Sequence, residues 1–263
     1  MKVLIPSYQR HQKDFLLFSR FPEKYWKNTF VCVREEELSA YKKVLNPKAT
    51  IVPLKESVDM HTTRNEMMSL FDGKVVMIDD DCTFREYNGE RYLSCGAESI
   101  GRMLDELEHI LNSGFVHASI AHPIVGSRLK GKLAYNTRYY AVLGYDLSVL
   151  KKLGVKFRTK TMSDIEVALH LTKLGYPSAI ITHWLIETHA QNTGGCSVYR
   201  ISEMHNRCAK KLAKAYHPYV KAKRAQSWKG MDKRLDITAS WKRLFGSAKI
   251  QRIPNGYDVN GEK

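Results

Sequence analysis

Residues 74–84, KVVMIDDDCTF, govern how the rest of the chain is read. Lys74 to Ile78 is an apolar, β-branched run of the length of a buried strand, and Asp79, Asp80 and Asp81 follow it directly. Three carboxylates at a strand end repel one another, and nothing about folding requires them there. A hard divalent cation relieves the repulsion: oxygen ligands hold Mg²⁺ or Mn²⁺, which in turn grips a diphosphate. In an extended segment Asp79 and Asp81 point the same way and Asp80 the other, so Asp79-x-Asp81 is the expected ligand-bearing pair. A solvated acidic turn serving caps and salt bridges is the alternative reading.

Upstream, residues 2–5 (KVLI), 29–33 (TFVCV) and 50–54 (TIVPL) read as strands, with Pro53 marking an edge or a strand end. Leu38, Tyr41, Val44 and Leu45 form one helical stripe within 35–45. Thr63-Arg64-Asn65-Glu66 has a capping-box pattern and predicts a helix opening there, carrying Met67, Met68 and Phe71 to a stop at Gly73. Strands alternating with helices imply crossover connections and an α/β fold with a mainly parallel sheet covered on both faces. Ligands of such sheets bind beyond the carboxyl ends of the strands, where Pro6–Arg10 and Asp79–Asp81 both lie.

Downstream, Ile100, Met103, Leu104, Leu107 and Leu111 predict an amphipathic helix closed by Gly114. Residues 115–125 read as a strand, 126–138 as a basic loop and 139–143 as another strand. A helix opens near Ser163 and runs to Gly175, and 178–186 is a last strand before the Gly194-Gly195 turn. From about 202 the pattern is helical and basic, interrupted at Pro218, and the last dozen residues read as frayed. The expected division is a catalytic domain over 1–200 with a basic helical extension over 201–263 packed on it.

Composition narrows the class. The 263 residues are 43% apolar and 26% charged, an ordinary globular balance. No run of about 20 apolar residues predicts a membrane span, and the start (MKVLIPSYQR) lacks a signal-type apolar run. Five scattered cysteines without C-x-x-C spacing argue against a zinc knuckle or a disulfide framework. We expect a reducing, cytoplasmic compartment. The net charge of +15 is localised: residues 200–252 hold 15 basic and 3 acidic side chains. Such a segment predicts a polyanionic partner.

The ordered set of strand–IPSYQR, TRNE opening a helix, hydrophobic strand–DDD, and MSDIEVALHLTKLGY resembles the nucleotide-sugar-dependent glycosyltransferases of the GT-A fold over roughly residues 1–200. More narrowly, the small size, the Thr-Arg-Asn helix start, the Asp triplet and the basic C-terminal region resemble the glycosyltransferases associated with TET/JBP dioxygenases, largely from bacteriophages. These put sugar on the hydroxymethyl group of a modified pyrimidine in DNA.

That resemblance implies a UDP-sugar donor, UDP-glucose foremost, with Mn²⁺ or Mg²⁺. Pro6, Ser7, Tyr8 and Arg10 would line the nucleotide pocket, and Arg64 and Asn65 would touch uridine or diphosphate. Asp79 and Asp81 would hold the metal, with Asp80 among the nucleotide contacts. Asp164 would be the base that activates the acceptor. The first acid of the family's acidic pair is Ser163 here, and Glu166 follows; Ser163-x-x-Glu166 is also a capping box, which makes Glu166 structural. A third metal ligand would be a histidine past the last strand, His183 or, preferably, His189, with Arg200 in reach of a phosphate.

Double-stranded DNA bearing hydroxymethylated bases would contact Arg128, Lys130 and Lys132 of the basic loop. In the C-terminal region it would contact Lys210, Lys211, Lys214, Lys221, Lys223 and Arg224, with Lys210, Lys214 and Lys221 recurring at helical spacing. His117 and His122 read as packing or surface residues, and Trp184, Trp228 and Trp241 as core or interface. Three rivals remain at this point: the same chemistry on a saccharide or cell-envelope acceptor, a nucleotidyltransferase, and a non-catalytic nucleic-acid-binding protein.

Overall fold

A computed structural model describes residues 1–11, 17, 20–188, 200–226 and 231–259. Its frame is a ten-stranded mixed sheet. The N-terminal part contributes β1 (Lys2–Ser7), β2 (Thr29–Arg34), helix α1 (Leu38–Lys42), β3 (Thr50–Leu54), α2 (Met60–Leu70) and β4 (Lys74–Ile78). The middle adds β5 (Cys82–Tyr87), β6 (Tyr92–Ser94), α3 (Ala97–Asn112), β7 (His117–Ala121), α4 (Pro123–Leu129), β8 (Leu133–Tyr135), β9 (Val142–Asp146), α5 (Leu147–Lys152), α6 (Ser163–Lys173) and β10 (Ser178–Thr188). Beyond residue 200 come α7 (Ser202–Ala215), a two-stranded hairpin β11 (Val220–Arg224) and β12 (Leu235–Ala239), and α8 (Trp241–Gly246).

The strand order is β3-β2-β1-β4-β9-β7-β10-β5-β6, with β8 on β10. From the pairings, β1–β4, β6, β7 and β10 run one way and β5, β8 and β9 the other. Alternation along the central strands splits the core into two faces. Leu4, Val75 and Met77 pack under α2, α5 and α6, while Val3, Ile5, Val76 and Ile78 pack under α3. The result is a three-layer α/β/α body with the sheet buried on both sides.

The chain passes from β1 to β2 and β3 on one side, then returns to put β4 on the other side of β1, which makes the β1–β4 junction the topological switch point. β1 pairs with β4 only over Lys2–Leu4, so the two strands part before their carboxyl ends. Pro6 lies past the end of that ladder and stays in register with Cys32 of β2 on the other side.

Several expected boundaries move. The helix expected to open at Thr63 starts at Met60, because Asp59 caps it: its carboxylate accepts from Thr62 N–H at 3.1 Å and the Thr62 hydroxyl answers to Asp59 N–H at 3.0 Å. Glu66 instead accepts from the Lys55 and Glu56 backbone at 2.7 and 2.9 Å. The strand expected over 115–125 ends at Ala121 and passes into α4, so the basic stretch 126–138 begins inside a helix and includes β8. The strand expected at 139–143 lies at Val142–Asp146. The helix at 202 ends at Ala215, and Lys221, expected on one helical side with Lys210 and Lys214, sits on a strand. The tail is not frayed as far as Val259, which is buried, while Tyr257 packs edge-on against Phe115.

Candidate active site

The aspartates do not continue β4 as an extended segment. Cys82 N–H donates to the Asp79 carbonyl at 3.2 Å, closing a four-residue turn, so the alternation expected of Asp79, Asp80 and Asp81 does not hold. The turn faces the loop after β1, and the three carboxylates meet two guanidinium groups. Arg64, buried on the first turns of α2, donates Nη2 to Asp79 Oδ1 at 3.1 Å and Nη1 to Ser163 Oγ at 3.1 Å. Arg10 donates Nη2 to Asp81 Oδ2 at 3.1 Å, with Nε 3.8 Å from Asp80 Oδ1.

The β1 loop is held from below. The Ser7 hydroxyl donates to Asp80, which leaves its oxygen to accept from the Tyr41 hydroxyl at 2.8 Å. Tyr41 accepts in turn from Arg10 N–H at 3.2 Å. Glu37 receives Gln9 N–H at 3.0 and 3.2 Å. Tyr8 lies outside this knot, its ring 3.7 Å from the Arg34 guanidinium carbon. Gln9, Ala141 and Met162 have φ of +56°, +62° and +58°. All three flank the crevice: Ala141 O accepts from Asp79 N–H at 3.0 Å, and Met162 precedes α6. Left-handed backbone at residues with a Cβ is strained, and its concentration here marks a site held by its surroundings.

The electrostatics are those of a crowded acid site. Burial raises Asp79 to about 6 although Arg64 opposes the rise, and raises Asp80 to about 7 against the Ser7 hydroxyl and Arg10. Asp164 reaches Asp79 through space, adding to that rise. It is half-buried on the first turn of α6, next to Ser163, and its Oδ1 accepts from Ile165 N–H at 2.9 Å. Met162 caps α6 without a side-chain bond, so Ser163 and Glu166 form no capping box. Ser163 serves Arg64, while buried Glu166 accepts from Arg158 N–H at 3.0 Å.

Of the residues expected to touch the donor, Ser7, Arg10, Arg64, Asp79, Asp80 and Asp81 converge. Pro6 is buried within β1. Asn65 is drawn away: its amide nitrogen donates to Phe157 O at 2.8 Å and its amide oxygen accepts from Phe157 N–H at 2.9 Å, clasping the 155–162 segment. His183 lies within β10, 3.4 Å from Glu86 and edge-on to Trp184. His189, Trp228 and the Gly194-Gly195 turn are outside the described residues; Thr188, the last one before them, pairs with Cys82 just past the triplet. Among the described residues, no group of three or more His, Cys, Asp or Glu side chains is placed to hold a metal ion by itself.

Arg128, Lys130 and Lys132 are exposed around the end of α4, Lys210, Lys211 and Lys214 on α7, and Lys221, Lys223 and Arg224 on β11. Sequence reasoning missed Tyr41 and Glu37, which read as core and surface. It also missed Arg138, whose guanidinium joins Asp236 of β12 at 3.1 and 3.3 Å.

A mannosyltransferase from Pyrobaculum calidifontis, solved with GDP-Man and Mn²⁺, superposes with a TM-score of 0.52 at 15% identity, covering 81% of this chain and 63% of that one. The chain has the fold of GT-A glycosyltransferases. It spans just under two thirds of the archaeal enzyme's length. In sequence, this chain is 25% identical over 230 residues to the beta-glucosyl-HMC-alpha-glucosyl-transferases of Enterobacteria phages T2 and T6, covering 82% of the chain and 81% of each phage protein. No family model matches. Among the described residues no helix is long and apolar enough to cross a membrane.

Proposed function

We propose that this chain is a nucleotide-sugar glycosyltransferase that moves glucose from UDP-glucose onto a 5-hydroxymethylpyrimidine of DNA. The observation that carries the reading is the Asp79–Arg64–Ser163 bridge at the switch point, which joins the acidic, arginine-flanked turn to the helix start bearing Asp164 and so supports a diphosphate site there. The name of the phage proteins describes the transfer of an α-glucosyl group to a β-glucosyl-HMC acceptor. That supports glucose as the sugar and modified cytosine as the base.

The donor set fits a hard divalent cation. Three carboxylates face two guanidiniums, so the turn keeps an excess of negative charge, and Asp81 is still 38% exposed. A site with few protein ligands suits Mn²⁺ or Mg²⁺, which complete their shells with substrate phosphates and water. Asp79 and Asp81 would hold the ion, which when bound neutralises charge on the departing diphosphate. His189 is a further candidate ligand.

The chain's own groups do the rest. Ser7 and Arg10, fixed by Tyr41 and Glu37, line the nucleotide side, with Pro6 in the strand below and Tyr8 at the rim. Arg10 and Arg64 orient the diphosphate and balance its charge. Asp164 accepts the proton of the acceptor hydroxyl as that oxygen attacks the anomeric carbon. The exposed lysines and arginines of α4, α7 and β11 hold duplex phosphates without reading sequence.

The test is mass spectrometry of nucleosides after incubating duplexes carrying 5-hydroxymethylcytosine, 5-hydroxymethyluracil or glucosylated 5-hydroxymethylcytosine with UDP-glucose and Mn²⁺. A gain of one hexosyl mass is expected. Unchanged nucleosides on all three duplexes, with transfer to a free saccharide instead, would move the enzyme to a saccharide acceptor.

A further inference from the structure

A cavity of about 250 Å³ lies between α6 and the C-terminal hairpin, lined by Arg138, Ile165, Ile237, Thr238, Ala239 and Trp241. It is below the roughly 300–1,000 Å³ of pockets that enclose drug-sized ligands, a size for one ring rather than a nucleotide. Three consecutive residues tie it to the site above. Ser163 bonds Arg64, and through it Asp79; Asp164 is next; Ile165 lines the cavity. The first turn of α6 therefore contributes Ser163 to the Arg64 bridge and Ile165 to this cavity, with Asp164 between them in the chain.

We infer that the cavity is the acceptor subsite and takes the neutral six-membered ring that bears the attacking hydroxyl, either the hydroxymethylpyrimidine or a hexose already attached to it. The inference rests on the glycosyl-transfer reading. The walls suit such a ring. Ile165, Ile237 and Trp241 are almost wholly buried in the core and form an apolar floor on which one face of a ring can rest. Arg138 is the one cationic group, and it is fixed. Asp236 takes two of its N–H groups and is itself held by Arg234 at 3.3 Å, yet the Arg138 side chain remains 37% exposed. Its remaining donors can meet a ring carbonyl or hydroxyl oxygen.

The mouth carries the right charge for a nucleic-acid strand. Thr238 is directly opposite Lys221 in the hairpin, and Asp236 is opposite Lys223. Cross-strand partners share a face, so exposed Lys221 and Lys223 lie on the face of the hairpin that carries Thr238 and Asp236, and the phosphates flanking an extruded nucleotide would approach from that side.

The test fills the cavity from its exposed side. Thr238→Trp, at a surface position, and Trp241→Phe, which removes part of the indole wall, are compared with wild type on hydroxymethylcytosine duplex and on its glucosylated form. UDP affinity by calorimetry and the melting temperature are measured alongside. We expect Thr238→Trp to raise the acceptor KM at least tenfold while UDP affinity and melting temperature stay put. A rise on both duplexes assigns the ring to the base; a rise confined to the glucosylated duplex assigns it to the hexose. Wild-type KM for both variants on both duplexes would overturn the subsite. A wild-type enzyme that transfers to neither duplex would overturn the underlying function instead.

Discussion

Arg64 and Asp79 are joined by a single hydrogen bond of 3.1 Å, and the second arm of the same guanidinium holds Ser163, so one buried side chain spans the crevice from the β4 turn to the first turn of α6. Only a planar fork can serve two acceptors in this way. Asp79 is raised by burial, and Arg64 is what holds it down; removing the fork would leave a recessed carboxylate without its counter-charge.

Arg64→Lys keeps the charge and loses the bridge. We expect it to cost about 1.5–3 kcal/mol of stability, the range for hydrogen bonds to charged groups, and to lower kcat more than it raises donor KM. Urea denaturation and steady-state kinetics read the two effects. A variant with wild-type urea midpoint and kcat would show that the bridge is incidental.

Asp164→Asn should lower transfer by about 10²–10⁴, the range for loss of a positioned general base, and leave UDP affinity unchanged. The variant keeps a side-chain oxygen for the Ile165 N–H, so the start of α6 is preserved. Transfer within a few-fold of wild type would remove Asp164 from the chemistry.

His117 gives the acid limb of the stability profile a specific cause. Its Nε2–H donates to Tyr176 O at 3.0 Å, so Nδ1 accepts from the Tyr139 hydroxyl at 2.7 Å, and both ring positions are committed to the neutral form. Burial lowers it to about 4. Because the unfolded chain binds the proton more tightly, the stabilisation is present above pH 6.5 and is lost as pH falls from 6.5 toward 4. The loss is about 3 kcal/mol at the low end. Urea midpoints of wild type and His117→Asn between pH 4 and 8 should converge on the acid side. A constant gap would exclude this origin.

Lys221→Ala with Lys223→Ala removes two of the cations beside the hairpin. If each meets a phosphate, the slope of log K against log salt for duplex binding should shrink by about 2, since each neutralised phosphate contributes about 0.9. Filter binding between 50 and 300 mM salt measures it, and an unchanged slope would place the duplex elsewhere.

Much of the frame is legible in the residues. KVLI, TFVCV and KVVMI are apolar on both faces, as doubly covered strands are, and each is an interior strand of the sheet. The amphipathic stripe from Ile100 to Leu111 is α3. The basic hairpin was missed although VKAKR alternates as a strand does, because the helical spacing of Lys210 and Lys214 continues on to Lys221. The turn at Asp79–Cys82 hid for a similar reason: its decisive bond is between backbone groups.

Local sequence determined the central strands, the acidic cluster after β4 and the C-terminal charge, because hydrophobic period and ionisable side chains act over a few residues. Only the tertiary structure decided which cations meet which acids, and that Arg138 and Trp241 share a cavity with the neighbour of Asp164. Those contacts join residues about 70 to 100 positions apart, such as Arg10 with Asp81, Arg64 with Ser163 and Arg138 with Asp236. No local period encodes them; they exist because packing on both faces of one sheet brings the strand ends and the hairpin together.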